Sequence, residues 1–188
     1  ITWVLDPIDG TRAFVSGTPT WGVLIAARTT DRVILGIIDQ PYIGERFVGA
    51  KAIAEMTGPM GTQTLAVGTA KPLSEAIIFS TFPEVGTKDE AAAFAKLAQQ
   101  CKLTRYGMDC YAHALLAAGY IDLVVEAGLQ SYDVCGPIGV IEAAGGIVTS
   151  WSGGSAMDGG QVLAAANVQQ HQAALAVLKP YATDTSNV

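Results

Sequence analysis

A chain of 188 residues that is 50% apolar and only 15% charged can bury a hydrophobic core, and it lacks the composition of a disordered protein. Its net charge of −6, with no run of Lys or Arg longer than two, excludes an electrostatic nucleic-acid footprint and a polybasic membrane patch. No apolar run approaches the roughly 20 residues of a membrane-spanning helix, and no signal-peptide pattern is present, so a cytoplasmic location is expected.

Residues 2–5 form a short buried-strand pattern that runs straight into Asp6-Pro7-Ile8-Asp9-Gly10-Thr11. Residues 21–27 and 33–39 are apolar and β-branched, and Thr29, Thr30 and Asp31 between them predict an antiparallel hairpin. A further strand is expected over 44–49, loops at Pro59 and Gly61, and a short strand over 64–68. Near Lys71-Pro72 the pattern changes to alternation. Strands are predicted over 76–81, 103–106, 121–126, 147–150 and 162–165. Helices are predicted over 88–100, 108–118 (ended by Gly119), 132–144 (ended by Gly145-Gly146) and 168–178, the last capped by Asn167. The expected fold class is layered α/β, with a partial N-terminal sheet unit over 1–70 and a C-terminal α/β unit over 71–188. Cys101, Cys110 and Cys135 have no CxxC spacing and read as reduced thiols, and with His113 or His171 they are too scattered for a structural zinc site. The chain opens at Ile1 inside an apolar run, which reads as a fragment of a longer protein.

The acidic loop carries the most chemistry. Two carboxylates three residues apart repel unless a cation lies between them. Magnesium prefers hard oxygen ligands and is held by few carboxylates plus substrate phosphate, a site that Asp6, Asp9 and the Ile8 carbonyl can supply. Gly10 and Thr11 offer backbone N–H groups to an anion if a helix starts there, and the Thr11 hydroxyl can orient or deprotonate water. The same spacing also fits an Asx-turn or helix cap that merely satisfies backbone donors.

The unbroken run Trp3-Val4-Leu5-Asp6-Pro7-Ile8-Asp9-Gly10-Thr11 resembles the metal-binding signature of the inositol monophosphatase family. Tyr132-Asp133-Val134, with Glu142-Ala143-Ala144-Gly145-Gly146 at the far end of the same predicted helix, is similar to its second signature, with Ala144 inserted. The resemblance implies an inositol monophosphatase/fructose-1,6-bisphosphatase-like sandwich of alternating helix and sheet layers, its N-terminal helices missing. It also implies a homodimer that binds two to three Mg²⁺ ions and hydrolyses a small phosphorylated substrate. In that reading Asp6 is shared by two metals, Ile8 gives its carbonyl to the first, and Asp9 and Asp133 bind the second. Gly10 and Thr11 hold phosphate, and metal-activated water attacks in line with no phosphoenzyme. Asp133 also fits a simple N-cap, and Glu142 fits an exposed or capping residue. The family's upstream acidic segment would precede this chain, leaving it with an incomplete first metal site and little activity alone.

Arg105 to Tyr111, Arg12 to Gly17, Ile38 to Pro41 and Gly44 to Arg46 are similar to the histidinol-phosphatase branch. Glu126 falls where relatives contact the polar body of the substrate, and an extra acid at Asp109 suits the ammonium of histidinol phosphate better than a neutral polyol. Asp109 also fits a helix N-cap, or a partner for Arg105, and Met108 stands where this branch commonly has glycine. The competing readings are an inositol-1-phosphatase or broad-specificity sugar phosphatase and, from another class, an inactive binding or regulatory module.

Overall fold

A computed structural model describes residues 1–183. Six strands form one all-antiparallel sheet in chain order: β1 (Thr2–Asp9), β2 (Gly22–Arg28), β3 (Val33–Gln40), β4 (Glu45–Ala50), β5 (Ile53–Gly58) and β6 (Gly61–Thr64). A short helix, α1 (Thr11–Ser16), separates β1 from β2. The predicted hairpin is present as β2 and β3. The expected strand over 64–68 is not: Gly61, with φ 100, opens β6 three residues earlier, and residues 65–68 lie outside any strand. Ile53–Gly58 is a strand that the sequence pattern did not announce, since Ala54-Glu55-Met56-Thr57 shows little β-branched character.

The second sheet contains β7 (Ile77–Ser80), β8 (Leu103–Tyr106), β9 (Leu123–Gln130), β10 (Ile147–Ser150) and β11 (Gly159–Ala165), in the order β10-β11-β9-β7-β8. β7 runs parallel to β8 and β9, and the β9-β11-β10 side is antiparallel. Four further α-helices lie among the described residues: α2 (Lys88–Ala98), α3 (Asp109–Ala117), α4 (Ser131–Ala143) and α5 (Val168–Leu178). α2 starts on a capping box between Thr87 and Glu90, and Asn167 caps α5 as expected.

Side-chain alternation in β9 and β11 reveals the layers. Val124, Val162 and Ala164 face one core with Leu24, Ile38, Phe47, Leu116 and Val140, whereas Leu123, Val125, Leu163 and Ala165 face another with Phe94, Leu97, Trp151 and Leu178. A strand buried on both faces reads as a continuous apolar run, as Leu123-Val124-Val125 does. The order is therefore sheet, α3 and α4, second sheet, α2 and α5. The expected α/β sandwich of alternating layers is what the chain forms.

α4 is the middle of this sandwich, and every residue from Val134 to Ile141 is buried. Its sequence, Val134-Cys135-Gly136-Pro137-Ile138-Gly139, has poor intrinsic helix propensity. Tertiary packing prevails because the glycines allow contact between main chains. A Cβ on Gly36 of β3 would lie 2.2 Å from the Gly136 carbonyl oxygen, and one on Gly49 of β4 would lie 2.2 Å from that of Gly139.

Candidate active site

β1 carries both acids of the loop, and an ordinary strand would send Asp6 and Asp9 to opposite faces, because side chains alternate with period two. The register prevents this. Asp6 pairs with Leu24 and Asp9 with Gly22, so three steps on β1 match two on β2 and a bulge falls at Pro7-Ile8. The extra residue returns Asp9 to the side of Asp6. Pro7 is tolerated because β1 is an edge strand. Gly10 then turns the chain at φ 77 and caps α1, so a helix does begin at Thr11.

Asp133 comes from the other half of the chain. It is the third residue of α4, and carboxylate oxygens of Asp6, Asp9 and Asp133 all lie within 4.8 Å of one another. Main-chain amides fix one oxygen of each: Ile8 N–H donates to Asp6 (3.0 Å), Cys110 N–H to Asp9 (2.9 Å) and Gln130 N–H to Asp133 (2.7 Å). Asp133 is thus the return half of a capping box with Gln130, not the N-cap itself. Burial, together with the charges of Asp133 and Asp109, pushes the Asp9 carboxyl up to about 6, and burial beside Asp6 also raises Asp133. Three carboxylates at this separation are poorly compatible with one another when all are ionised. A divalent cation relieves that conflict, and an all-carboxylate set suits a hard ion such as magnesium rather than zinc.

Beside the cluster is a cavity of about 250 Å³. Asp9, Asp109, Glu126, Asp133 and His113 line it, and no Lys or Arg does. Glu126 is buried, accepts from the Thr81 N–H (2.7 Å), the Thr81 hydroxyl (2.9 Å) and the Ser80 hydroxyl (3.3 Å), and is nevertheless raised to about 7 by burial. Asp109 is the only described non-glycine residue with a left-handed backbone, at φ 48. It is the first helical residue of α3, the cap position belongs to Met108, and its carboxylate accepts from the Thr20 hydroxyl (3.0 Å). The N-cap reading of Asp109 therefore gives way. Arg105 is exposed and forms no ion pair with it. Met108, at φ −105, has no need of the glycine expected there, since Gly107 takes the left-handed turn at φ 79. Asp109 also packs against the acidic loop, where a Cβ on Gly10 would come within 2.8 Å of its carboxyl carbon.

The stretches singled out for their resemblance to the histidinol-phosphatase branch make contacts that the sequence did not reveal. Gln40 at the end of β3 donates to Cys110 Sγ (3.3 Å), and the Tyr111 hydroxyl donates to Glu45 of β4 (2.8 Å). Stretches far apart in sequence thus converge behind Asp109. Arg12 of α1 lies 4.4 Å from the ring centroid of Phe82, another residue of the cavity wall. Glu142 is exposed and lines a larger hollow of about 480 Å³ with Arg32 and Lys51, at the opposite end of α4 from Asp133. The three cysteines are free thiols. No helix among the described residues is long and apolar enough to cross a membrane.

Comparison with known proteins places this four-layer sandwich, with an acidic cluster shared between its first sheet and its central helix, in one family. The chain matches the inositol monophosphatase family over residues 1–181 and belongs to that family. It is 40% identical to the chloroplastic bifunctional phosphatase IMPL2 of Arabidopsis thaliana over 151 residues, covering 80% of this chain and 43% of that protein. Identity to a histidinol-phosphatase of Chlorobaculum parvum is 28% over 165 residues, covering 88% of this chain and 63% of the relative. Among solved structures, an inositol monophosphatase from Zymomonas mobilis superposes with a TM-score of 0.88 at 37% identity, covering 94% of this chain and 70% of the other. The chain thus spans less than two thirds of the length of these two curated relatives.

Proposed function

We propose that the protein is a magnesium-dependent phosphate monoester hydrolase whose preferred substrate is histidinol phosphate. Asp6, Asp9, Asp133 and the Ile8 carbonyl would hold the metal, in two to three ions. Magnesium, when bound, supplies Lewis-acid chemistry: it activates water and neutralises phosphoryl charge. The rest falls to the chain. Amides of Gly10 and Thr11 hold the phosphate oxygens, and the Thr11 hydroxyl orients the water for in-line attack on phosphorus as the ester P–O bond breaks. Asp109 and Glu126 receive the substrate's ammonium.

The observation that carries the substrate reading is Asp109 itself. A strained backbone at φ 48, pinned by Thr20 beside a glutamate and without a cationic partner, costs stability that a folded chain retains for a reason. Burial raises both Asp109 and Glu126, so the hydroxyls and amide that bond them do not fully offset the cost of ionising them. An ammonium group offsets the remainder, and a polyol does not. The similarity to a named histidinol-phosphatase points the same way. The similarity to an inositol monophosphatase supports the alternative substrate class, inositol phosphate or a related sugar phosphate.

The test is Asp109→Ala in the full-length protein, assayed by phosphate release. For histidinol phosphate kcat/KM should fall about tenfold or more, while β-glycerophosphate hydrolysis falls much less. Equal losses on both esters would sink the recognition role. We also propose a homodimer, the state that the family resemblance implies. Light scattering that found only monomer would remove it.

A further inference from the structure

His113 lies four residues after Asp109, on the same face of α3, and lines the same cavity. It is 4% exposed, and neither ring nitrogen has a hydrogen-bond partner. A neutral imidazole carries one donor and one acceptor, and burying both unpaired is costly. Elsewhere in the cavity the polar groups are matched: Thr81 and Ser80 bond Glu126, Thr20 bonds Asp109, and main-chain amides bond Asp9 and Asp133. His113 alone among the cavity's titratable side chains has both positions open.

We propose that His113 is a specificity-determining residue that hydrogen-bonds the organic body of the substrate. This rests on the reading of the cavity as the substrate site. The phosphate is held at the acidic loop, the carboxylates of Asp109 and Glu126 take positive charge, and His113 offers an uncharged donor–acceptor pair to whatever lies beyond. The fitting ligand group is itself a neutral donor and acceptor, such as a heteroaromatic ring nitrogen or an alcohol hydroxyl. A purely alkyl ester gains nothing from it.

The experiment compares the full-length protein with His113→Phe on histidinol phosphate and on n-propyl phosphate, which has no further hydrogen-bonding group. The kcat/KM preference for the first ester should drop about tenfold, mainly through KM, as for the loss of one buried hydrogen bond. In parallel, the His113 ring ¹⁵N resonances should shift when the alcohol released from the preferred ester is added. An unchanged preference overturns the proposal. If the variant does not fold, the resonances decide, and rings that ignore the added alcohol overturn it. Should histidinol phosphate not be hydrolysed while inositol 1-phosphate is, the proposed substrate fails but His113 does not. The same ratio is then measured with inositol 1-phosphate, whose hydroxyls would meet the ring equally well.

Discussion

Asp9 shows how one residue can work against the fold. Its carboxyl is pushed up to about 6 by burial and by neighbouring acids, so near neutral pH the cation-free site is under electrostatic stress. Asp9→Asn keeps an oxygen for the Cys110 amide and removes the charge. The variant should therefore melt at the same or a higher temperature than the parent without cations, yet lose at least tenfold in Mg²⁺ affinity by calorimetry. Undiminished binding would remove Asp9 from the ligand set. Asp6, Asp9 and Asp133 were legible in the sequence because their motifs are long and local. Thr20 and Thr81 were not, since they are 89 and 45 residues from the carboxylates they hold, and an isolated threonine carries no signal of such a role.

Among elements, α4 has the tightest tolerances. Gly36 and Gly49 face Gly136 and Gly139 so closely that no side chain fits between sheet and helix. Gly36→Ala should destabilise the protein by about 3 kcal/mol in denaturant unfolding, because backbone rather than a flexible side chain must yield. Gly58→Ala is the control: its nearest neighbour is the Glu45 side chain at 3.1 Å, and a cost of about 1 kcal/mol or less is expected. Comparable losses at the two positions would contradict the close-packing account. The helix itself was legible from its two ends, Tyr132-Asp133 and Gly145-Gly146. Its glycine contacts were not, because they depend on a strand register that no local pattern reveals.

At the scale of the whole molecule, alternating strands and helices after residue 71 were readable, as was the β2–β3 hairpin. The β5–β6 hairpin was hidden by weak β propensity, and the stacking order emerges only from which face of β9 and β11 meets which core. A buried acid joining neighbouring strands has a global signature in the pH dependence of stability. Glu126 is raised from 4.5 to about 7, so between these values the folded chain holds a proton that the unfolded chain has released. Its contribution is then lost as pH rises through that window, roughly 3 kcal/mol in all. Without divalent cations, the parent should lose stability relative to Glu126→Gln from pH 4.5 to 7 and remain level above it. A parallel pair of profiles would show that the carboxylate is not strained by burial.

Asp6 and Asp9 belong to an edge strand of the first sheet, while Asp133 opens the helix wedged between the two sheets. No stretch of the polypeptide holds the trio by itself. A nascent or half-assembled chain therefore has three separate acids, and the cluster arises only once early and late segments have docked. Assembly itself makes the site.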